Sequence, residues 1–514
     1  MQPSESDNLT LIAACAFGLE AIVKRELIKL GYDAKVSQPG RVEFAGTWDD
    51  VCKTNIWLRT ADRVLVKVLE FPSEDFDSLF ETVREHEWAD LIAADSEVHI
   101  TGRSRLSQLT SVPAVQRTVK KAIVESLQRG HGTSELPETG ATYKIDVALL
   151  NDTATLTLDT TGDSLHKRGY RKLAGQAPIK ETLAAAMIDL SVWRPERILV
   201  DPFCGTGTIP IEAAMAGMNI APGLNRDFTS SDWPQTGQQK WSDAVEDARA
   251  QIIQDVDLQI IGSDVDEDSL SMARYHAKQA GVEKQIHFRQ QPFQEFESRQ
   301  KYGCVVTNPP YGERLQEIEE VRPLYESFPR VLQKLETWSL YLITNMPKLE
   351  AIFQKSATRR RKLFNGRIEC TYFQYLGPRP PKGYFDDDYV ESAESSASSN
   401  LSGKALAAGT ESVVPKQKIP EPEQRLAERA HGSVSLGNKP AASALPLNEE
   451  ALPEEKQGGN IWETARANRA NKVESKPEVA PIFGGLQAKD REQAELFRSR
   501  LTKRARHLLS LIHI

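Results

Sequence analysis

The stretch "ILVDPFCGTGT", Ile198 to Thr208, decides the fold class of this chain. Its apolar first half predicts a buried strand, and Gly205 and Gly207 predict a tight turn that leads into a helix near Thr208. Such glycines let a ligand approach the backbone closely, and the start of the helix presents unpaired N–H groups. The stretch therefore predicts either a ligand-binding corner or a purely structural turn.

The spacing of the two glycines narrows the choice of ligand. A corner of this kind could hold a phosphate, a dinucleotide or S-adenosylmethionine. The chain has neither a third glycine at dinucleotide spacing nor a G-K-[ST] sequence at this point, which argues against the first two ligands.

Outward from this corner, between about residues 178 and 376, helices and strands alternate. The predicted strands are "RILVDPF", "DLQIIGSD", "QIHFR", "GCVVTNP", "WSLYLIT" and "ECTYFQYL". This alternation predicts βαβ units and a mainly parallel sheet. The second strand ends at Asp264, where a carboxylate is placed to accept hydrogen bonds from ribose hydroxyls. An aspartate at this point could instead cap the next helix, and we expect Asp264 to bind the ligand and Asp266 to lie nearer the cap.

The fourth strand ends in an unusual loop, within "KYGCVVTNPPYGER", Lys301 to Arg314. The two prolines of Asn308-Pro309-Pro310-Tyr311 fix φ and cannot continue a central ladder, so they stiffen the loop. An asparagine before a proline is usually only a turn. The four-residue set, after a glycine turn and an acidic strand end, predicts a functional loop at the carboxyl ends of the strands.

The bulk composition excludes several classes of protein. The formal net charge is −8, so any nucleic-acid surface must be local. No apolar run approaches the roughly 18 residues of a spanning helix, and "MQPSESDNLT" does not resemble a signal peptide. The five cysteines lie far apart, without metal-ligand spacing. We therefore expect a cytoplasmic protein with reduced thiols, no metal and no membrane contact.

The sequence on either side of this region has a different pattern and composition. From Leu9 to about Arg171, strands and helices follow each other in α+β style, with Asn151-Asp152 as a predicted hairpin turn. After about Asp386 the composition shifts to Ser, Ala, Glu, Pro and Lys, which predicts a disordered linker. A basic helical pattern resumes at Lys489 and the chain then stops, which suggests a truncated sequence.

These motifs resemble those of a known family. The Asn-Pro-Pro-Tyr loop is similar to the [N/D]-P-P-[Y/F/W] motif of class I S-adenosylmethionine-dependent methyltransferases that modify exocyclic amines. The segment "LTLDTTGDSLHKRGYRKLAGQAPIKETLAAAM", Leu156 to Met187, resembles the junction of a THUMP RNA-binding domain with the catalytic domain. That junction is found in bacterial 23S ribosomal RNA guanine-N2 methyltransferases, including the first half of the bifunctional large-subunit enzyme K/L.

The resemblance implies the domain order. It implies an α+β region with a ferredoxin-like domain at 8–60 and a THUMP domain at 61–172. An α/β, class I (Rossmann-like) methyltransferase domain follows at 173–385. A disordered tail would include a linker at 386–488 and, at 489–514, the start of a truncated second half that resembles a guanine-N7 methyltransferase.

The resemblance also implies the site. The residues it assigns to S-adenosylmethionine are Asp201, Pro202, Phe203, Gly205, Gly207, Thr208, Asp264, Val265, Phe293 and Asn308. Catalysis falls to Asn308, Pro309, Pro310 and Tyr311. One departure is Pro292, which stands where relatives often carry an acidic residue facing the adenine amine. Backbone groups around Pro292 and Phe293 are expected to replace that side chain.

The loop chemistry suits an exocyclic amine, whose lone pair is delocalised into the ring. The Asn308 side-chain oxygen and the Pro309 carbonyl can each accept one N–H hydrogen bond and stabilise charge developing on the nitrogen. Tyr311 is expected to stack on a base that has swung out of the RNA. The sulfonium methyl is already electrophilic, so positioning is the main requirement.

Basic residues give the candidate RNA contacts. They are Arg103, Arg105, Lys120, Lys121, Arg168, Tyr170 and Arg171. Each basic run alone is more often a solvated face. The run His166 to Lys172 is the best candidate, because it mixes arginines with Tyr170 at the expected domain junction.

The predicted function is methyl transfer to a guanine N2 amine in large-subunit ribosomal RNA, free or as a ribosome precursor. A tRNA guanine, a DNA adenine or a protein glutamine are alternative targets, since all share the same loop motif. A non-catalytic RNA-binding assembly protein with a vestigial cofactor fold is the alternative of another class.

Overall fold

The structure is a computed structural model that describes residues 8–173, 179–311 and 315–385, with residues 315–318 described by their backbone alone. The predicted linker at 386–488 and the predicted second half at 489–514 lie outside the described residues.

The first half of the described chain forms a seven-stranded sheet. Its strands are β1 (Leu9–Ala14), β2 (Ala34–Gln38), β3 (Arg41–Gly46), β4 (Arg63–Pro72), β5 (Glu97–Arg105), β6 (Thr142–Leu150) and β7 (Thr153–Asp159). The order is β2-β3-β1-β4-β7-β6-β5. Neighbours run antiparallel except β5 and β6, which are parallel.

Four helices accompany this sheet among the described residues. They are α1 (Glu20–Lys29), α2 (Trp48–Trp57), α3 (Phe76–Glu85) and α4 (Val112–His131). Their ends follow local sequence chemistry: Thr47 and Asp50 form a capping box at the start of α2. Helix α4 carries Pro113 in its first turn and ends at Gly132, whose φ of 64° suits glycine.

The two expected N-terminal domains share this one sheet. Strand β4 pairs with β1 on one side and with β7 on the other, so hydrogen bonds run from the ferredoxin-like part into the THUMP part. The register shifts between Lys67 and Leu69, which marks a bulge in β4. The domain boundaries predicted from the sequence stay predictions.

The second half forms another seven-stranded sheet. Its strands are β8 (Leu199–Asp201), β9 (Ile260–Asp264), β10 (Ile286–Gln290), β11 (Cys304–Thr307), β12 (Ser339–Thr344), β13 (Arg359–Asn365) and β14 (Ile368–Tyr375). The order is β10-β9-β8-β11-β12-β14-β13. The first five strands are parallel and the last two antiparallel, which confirms the mainly parallel sheet.

Helices connect these strands. They are α5 (Glu181–Asp189), α6 (Thr208–Gly217), α7 (Gly237–Ala250), α8 (Glu267–Gln279), α9 (Leu315–Gln333) and α10 (Leu349–Phe353). All residues of β11 and β12 are buried, as expected for strands covered on both faces. No helix in the described ranges is long and apolar enough to cross a membrane.

The strand order creates a switch point beside β8. The chain runs outward from β8 through β9 to β10, and then returns to place β11 on the other side of β8. Connections on the two sides of such a point leave the sheet in opposite directions, which opens a crevice at the carboxyl ends of the strands. The predicted site residues of β8, β9 and β11 all lie at this end.

One excursion ties the two halves together. After α6, the chain packs against the first sheet: the Trp233 ring stacks on Tyr143 with centroids 4.4 Å apart, and Phe228 stacks on Trp241 at 4.6 Å. These rings belong to the same core as the first sheet. The sequence did not predict this crossing.

Candidate active site

The turn between β8 and α6 has the geometry of a ligand-binding corner. Gly205 and Gly207 have φ values of 49° and 85°, both in the left-handed region. A Cβ on Gly207 would lie 2.9 Å from the Ala273 Cβ and 3.2 Å from Phe288, so α8 and β10 pack directly on this backbone. A Cβ on Gly205 would meet nothing within 4 Å, which leaves room for a ligand beside the first turn of α6.

Asp264 at the end of β9 is tied to the glycine turn. Its Oδ2 accepts a hydrogen bond from the Gly205 N–H at 2.8 Å, and its Oδ1 accepts one from the Asp266 N–H at 3.1 Å. Asp266 is the N-cap of α8, and its side chain accepts from the Ser269 N–H. The capping role expected for Asp266 is therefore confirmed. The role of Asp264 toward a ribose stays a prediction.

Asp201 at the end of β8 joins the two strands beside the crevice. Its Oδ1 accepts from the Thr307 hydroxyl at 2.6 Å and from the Phe203 N–H at 3.2 Å. Burial raises the pKa of Asp201 to about 7, although the Thr307 hydrogen bond lowers it. Because Thr307 immediately precedes Asn308, this contact fixes the start of the Asn-Pro-Pro-Tyr loop beside the glycine turn.

The loop itself is held by hydroxyl groups. The Tyr311 hydroxyl donates to the Asn308 Oδ1 and accepts from the Asn365 Nδ2 at 3.3 Å. The Tyr325 hydroxyl donates to the Pro310 carbonyl at 3.0 Å. An amide oxygen has two lone pairs, so the Asn308 oxygen keeps one for a further donor.

The expected stacking role of Tyr311 is not supported by this geometry. The ring is 9% exposed and packs in the core between the helices and the second sheet. Burial also raises the pKa of Tyr311, so its hydroxyl is neutral and able to donate. The structure therefore gives Tyr311 a positioning contact to Asn308, in place of a face open to a base.

The residues that follow β10 and β9 supply aromatic support and an apolar surface. Phe293 is buried and packs on Phe328 at 4.3 Å and on Phe203 at 5.4 Å. Its side chain thus lies in the core, and only its backbone remains for the predicted cofactor contact. Val265, next to Asp264, is 65% exposed and offers apolar surface at the strand ends.

The remaining predicted cofactor and loop residues lie at the same edge. Pro202 and Thr208 are buried at the two ends of the glycine turn, and Pro309 is buried beside Asn308. Together, β8, β9 and β11 bring the predicted cofactor residues and the loop to one crevice. Phe293 follows β10 at the same end of the sheet.

The structure corrects the prediction for Arg168 and Tyr170 in the run His166 to Lys172. Arg168 and Tyr170 are 2% and 1% exposed, so they cannot contact RNA in this state. Both contact Glu212 of α6: the Arg168 Nε lies 3.4 Å and the Tyr170 hydroxyl 3.2 Å from its Oε1. A buried cation needs a paired anion, and the basic pattern here reflects that need.

Arg171 is partly buried, and its guanidinium is held by partners in the catalytic half. Its guanidinium lies 3.3 Å from the Glu181 carboxylate and donates to the Thr208 hydroxyl at the start of α6. Burial raises the pKa of Glu181 to about 7, while Arg171 lowers it. Arg171 therefore positions the helix that opens at the glycine turn, and its role in RNA binding stays a prediction.

The other predicted RNA contacts are exposed but lie on two surfaces. Arg103 and Arg105 are exposed on β5, and Arg103 pairs with Asp146 at 2.6 Å. Gly102, which precedes Arg103 on this strand, faces α4, so Arg103 and Arg105 lie on the sheet face away from that helix. Lys120 and Lys121 lie on α4, where Lys120 pairs with Glu138 at 2.9 Å. Their role in RNA binding stays a prediction.

His276 lies beside the glycine turn and is not part of any motif in the sequence. Its Nε2 accepts from the Leu173 N–H at 3.3 Å, so its Nδ1 carries the proton and donates to the Thr206 carbonyl at 3.2 Å. Burial lowers the pKa of His276, in keeping with this neutral form. The ring thereby links the glycine turn to the domain junction. No local motif could reveal this, since its partners lie far away in sequence.

Within the described residues, no group of three or more His, Cys, Asp or Glu side chains could hold a metal ion. The five cysteines are free, and Cys204 beside the glycine turn has a pKa raised by burial. A thiol of raised pKa is a poor nucleophile.

Comparison with known proteins agrees with this architecture. Three family models match in succession: the RlmL ferredoxin-like domain at residues 10–65, the THUMP domain at 73–159 and the RMKL-like methyltransferase domain at 168–374. The "Putative RNA methyltransferase YpsC" of Bacillus subtilis strain 168 is 45% identical over 375 residues, which cover 73% of this chain and 97% of that protein.

Solved structures are similar over the same region. A Listeria monocytogenes protein described as a "predicted N6-adenine-specific DNA methylase" is 45% identical with a TM-score of 0.70, covering 73% of this chain and 97% of that one. SMU.472, described as "a putative methyltransferase complexed with SAH", is 40% identical with a TM-score of 0.69, covering 73% and 99%. The fold class and the resemblance predicted from the sequence are thus confirmed. The chain belongs to the family of THUMP-containing methyltransferases with an RlmL-type ferredoxin-like domain and an RMKL-like catalytic domain.

Proposed function

We propose that the protein transfers a methyl group from S-adenosylmethionine to the exocyclic N2 amine of a guanine in 23S ribosomal RNA. The observation that carries the proposal is the contact between Thr307 and Asp201, which holds the Asn308 loop beside the glycine turn. The residues proposed to bind the methyl donor and those proposed to bind the acceptor amine then lie in one crevice, at the switch point of the sheet.

The cofactor is S-adenosylmethionine. Gly205 leaves open space at the start of α6, the Asp264 carboxylate stands at the next strand end, and Val265 offers apolar surface beside it. The space beside Gly205 suits the methionine end of the cofactor. The Asp264 carboxylate suits its ribose, and the Val265 surface suits its adenine ring. The SAH complex of SMU.472, which shares the fold and 40% of the sequence, supports this choice.

The acceptor is an amine, because the loop offers oxygen acceptors. The free lone pair of the Asn308 oxygen and the Pro309 carbonyl accept the two N–H groups of the amine and concentrate electron density on its nitrogen. Tyr311 acts indirectly, since its hydroxyl holds the Asn308 amide in the accepting orientation. Two prolines keep both acceptors fixed, and a misplacement of about 1 Å would cost on the order of 100-fold in rate.

The substrate is RNA rather than DNA or protein because the chain carries a THUMP domain at residues 73–159. YpsC is named as an RNA methyltransferase, whereas the Listeria relative is described as acting on adenine in DNA. DNA adenine is therefore the second candidate. The free cysteines fit a reducing cytoplasm, where ribosomal RNA or its large-subunit precursor is available.

Radiolabelled methyl transfer followed by nucleoside identification tests the proposal. Ribosomal RNA from a strain lacking the enzyme is incubated with the protein and labelled S-adenosylmethionine, digested and separated. We expect the label in N2-methylguanosine. Label in another nucleoside, or transfer only to tRNA or to duplex DNA, contradicts the guanine-N2 assignment.

A further inference from the structure

A cavity of about 580 Å³ lies far from the candidate active site. It opens where β12 begins at Ser339 and β14 ends, whereas Asn308 follows β11, which runs parallel to β12. The cavity and the catalytic loop therefore lie at opposite ends of the second sheet. Six residues of β12 separate the two ends, a span of about 20 Å at the usual rise per residue.

Arginine dominates the lining of this cavity. Its charged lining residues, within the part of the chain that the structure describes, are Arg25, Arg197, Arg359, Arg360, Arg361, Arg379 and the single acidic residue Asp189. Such a concentration of one charge is unusual in a chain whose net charge is −8. It marks a local positive surface on an otherwise acidic protein.

Apart from Arg197, whose guanidinium lies over the Phe385 ring, three of these arginines lack an ion pair among the described residues. Arg25 pairs with Asp189, and Arg360 pairs with Glu350 through two hydrogen bonds. Arg359, Arg361 and Arg379 make no ion pair with any described residue. Like charges gathered without partners raise the free energy of the unliganded state, so the arrangement favours an anionic ligand.

The positive lining continues into a second cavity of about 910 Å³, which shares Arg25 and Asp189 with the first. This cavity lies between α1 and α2 of the N-terminal half and α5 and α6 of the catalytic half. It adds Lys29, Lys53 and Arg194, while its acidic residues Glu26 and Glu212 contact Arg59 and Arg168. We name the two cavities together the arginine groove.

The chemistry of the arginine groove fits a phosphodiester chain. The planar guanidinium matches phosphate oxygens in pairs and stays charged at any physiological pH. Arg359 and Arg361 lie two residues apart on β13, so they share one face of the outermost strand of the sheet. A row of fixed cations along an edge binds a polymer with regularly spaced anions better than it binds a single small anion.

We propose that the arginine groove binds backbone phosphates of the RNA substrate about 20 Å from the modified base. The identity of the polymer rests on the proposed function, which makes RNA the substrate. The groove then selects a long or folded RNA, because a short strand centred on the target guanine does not reach the far end of the sheet. Phosphate contacts of this kind position the RNA without reading its sequence.

The test compares two charge-matched triple variants. The first is Arg359→Gln/Arg361→Gln/Arg379→Gln. The control is Lys278→Gln/Lys284→Gln/Arg299→Gln, which removes three exposed cations outside both cavities. Dissociation constants for a long unmodified ribosomal RNA fragment and for a short hairpin are measured over a range of salt concentrations. Circular dichroism and S-adenosylmethionine affinity verify folding in each variant.

The groove variant should bind the long RNA at least about 10-fold more weakly at low salt. The slope of the logarithm of its binding constant against the logarithm of the salt concentration should fall in magnitude by about 2 to 3. The control variant and the short hairpin should show no such change. An unchanged slope for the long RNA overturns the inference. Failure of the proposed function would appear differently, as a wrong or missing methylated nucleoside with the unmodified protein.

Discussion

At the scale of single residues, the sequence predicted which groups matter but not always how they act. Asn308 and its prolines could be found because they follow an apolar strand. Tyr311 was expected to offer its ring to a base, yet its hydroxyl is bonded to the Asn308 amide and its ring is buried. The partner Asn365 lies on β13, and no local pattern connects it to the loop.

The Tyr311 contact gives a first prediction. Tyr311→Phe removes the hydroxyl that orients the Asn308 amide. We expect methyl transfer to slow by about 10-fold, which corresponds to the free energy of one hydrogen bond. Affinity for S-adenosylmethionine should not change. Tyr372→Phe is the matched control, because its buried hydroxyl donates to the Met187 carbonyl instead. Single-turnover rates check this, and equal rates in the two variants would contradict the positioning role.

Asp201 gives a prediction about pH. Its pKa in the folded protein is raised to about 7 by burial, whereas in the unfolded chain it is about 3.9. Between these values the folded state holds more protons than the unfolded state, so this group makes stability fall as pH rises from about 4 to 7.

In Asp201→Asn that contribution is absent. The melting temperature of the variant relative to the unmodified protein should therefore rise across this pH range. Calorimetry at several pH values measures the difference, and a difference that stays constant or falls would show that Asp201 is already charged in the folded state.

At the scale of elements, the alternation of apolar runs predicted the order of most strands and helices. Strand β13 was missed because "RRRKLFN" is dominated by charge, and it exists through pairing with β14. Strand β2 has a similarly weak pattern, since it is short and only its first residue, Ala34, is buried. Both are outer strands of their sheets, where burial leaves little pattern in the sequence.

The glycine turn gives a prediction with an internal contrast. Gly207→Ala places a Cβ 2.9 Å from Ala273 at a φ of 85°, so we expect a loss of about 2–4 kcal/mol in unfolding free energy. Gly205→Ala meets no atom within 4 Å, so we expect only about 1 kcal/mol from its φ. It should instead weaken S-adenosylmethionine binding, because the methyl group enters the ligand space.

Urea unfolding and calorimetric titration separate these two effects. The account of the turn fails if Gly205→Ala binds the cofactor as tightly as the unmodified protein, or if Gly207→Ala is as stable as Gly205→Ala.

At the scale of the whole molecule, the connections between the halves were not predictable. The chain from α6 to α7 packs its aromatic rings on the first sheet, and a buried network joins the halves. In that network, the Arg168 side chain donates to the Arg59 carbonyl and to Glu212. The basic run looked like an RNA surface because burial of a paired charge leaves no mark in a sequence.

This network gives a prediction about stability. Arg168→Ala leaves the Glu212 carboxylate buried without its cation, so we expect a loss of about 3–5 kcal/mol in unfolding free energy. Arg322→Ala, which breaks a surface pair with Glu319, should cost less than about 1 kcal/mol. Urea titrations monitored by circular dichroism check both, and a similar midpoint for the two variants would refute a buried, coupled role for Arg168.

The most direct test of the central claim is the rate of methyl transfer by Asn308→Ala to unmodified ribosomal RNA, measured together with its affinities for S-adenosylmethionine and RNA. The account predicts a rate at least about 100-fold lower, because an oxygen that stabilises the developing charge is lost, with the RNA affinity within about twofold of the unmodified protein. A rate close to that of the unmodified protein would contradict amine activation by Asn308.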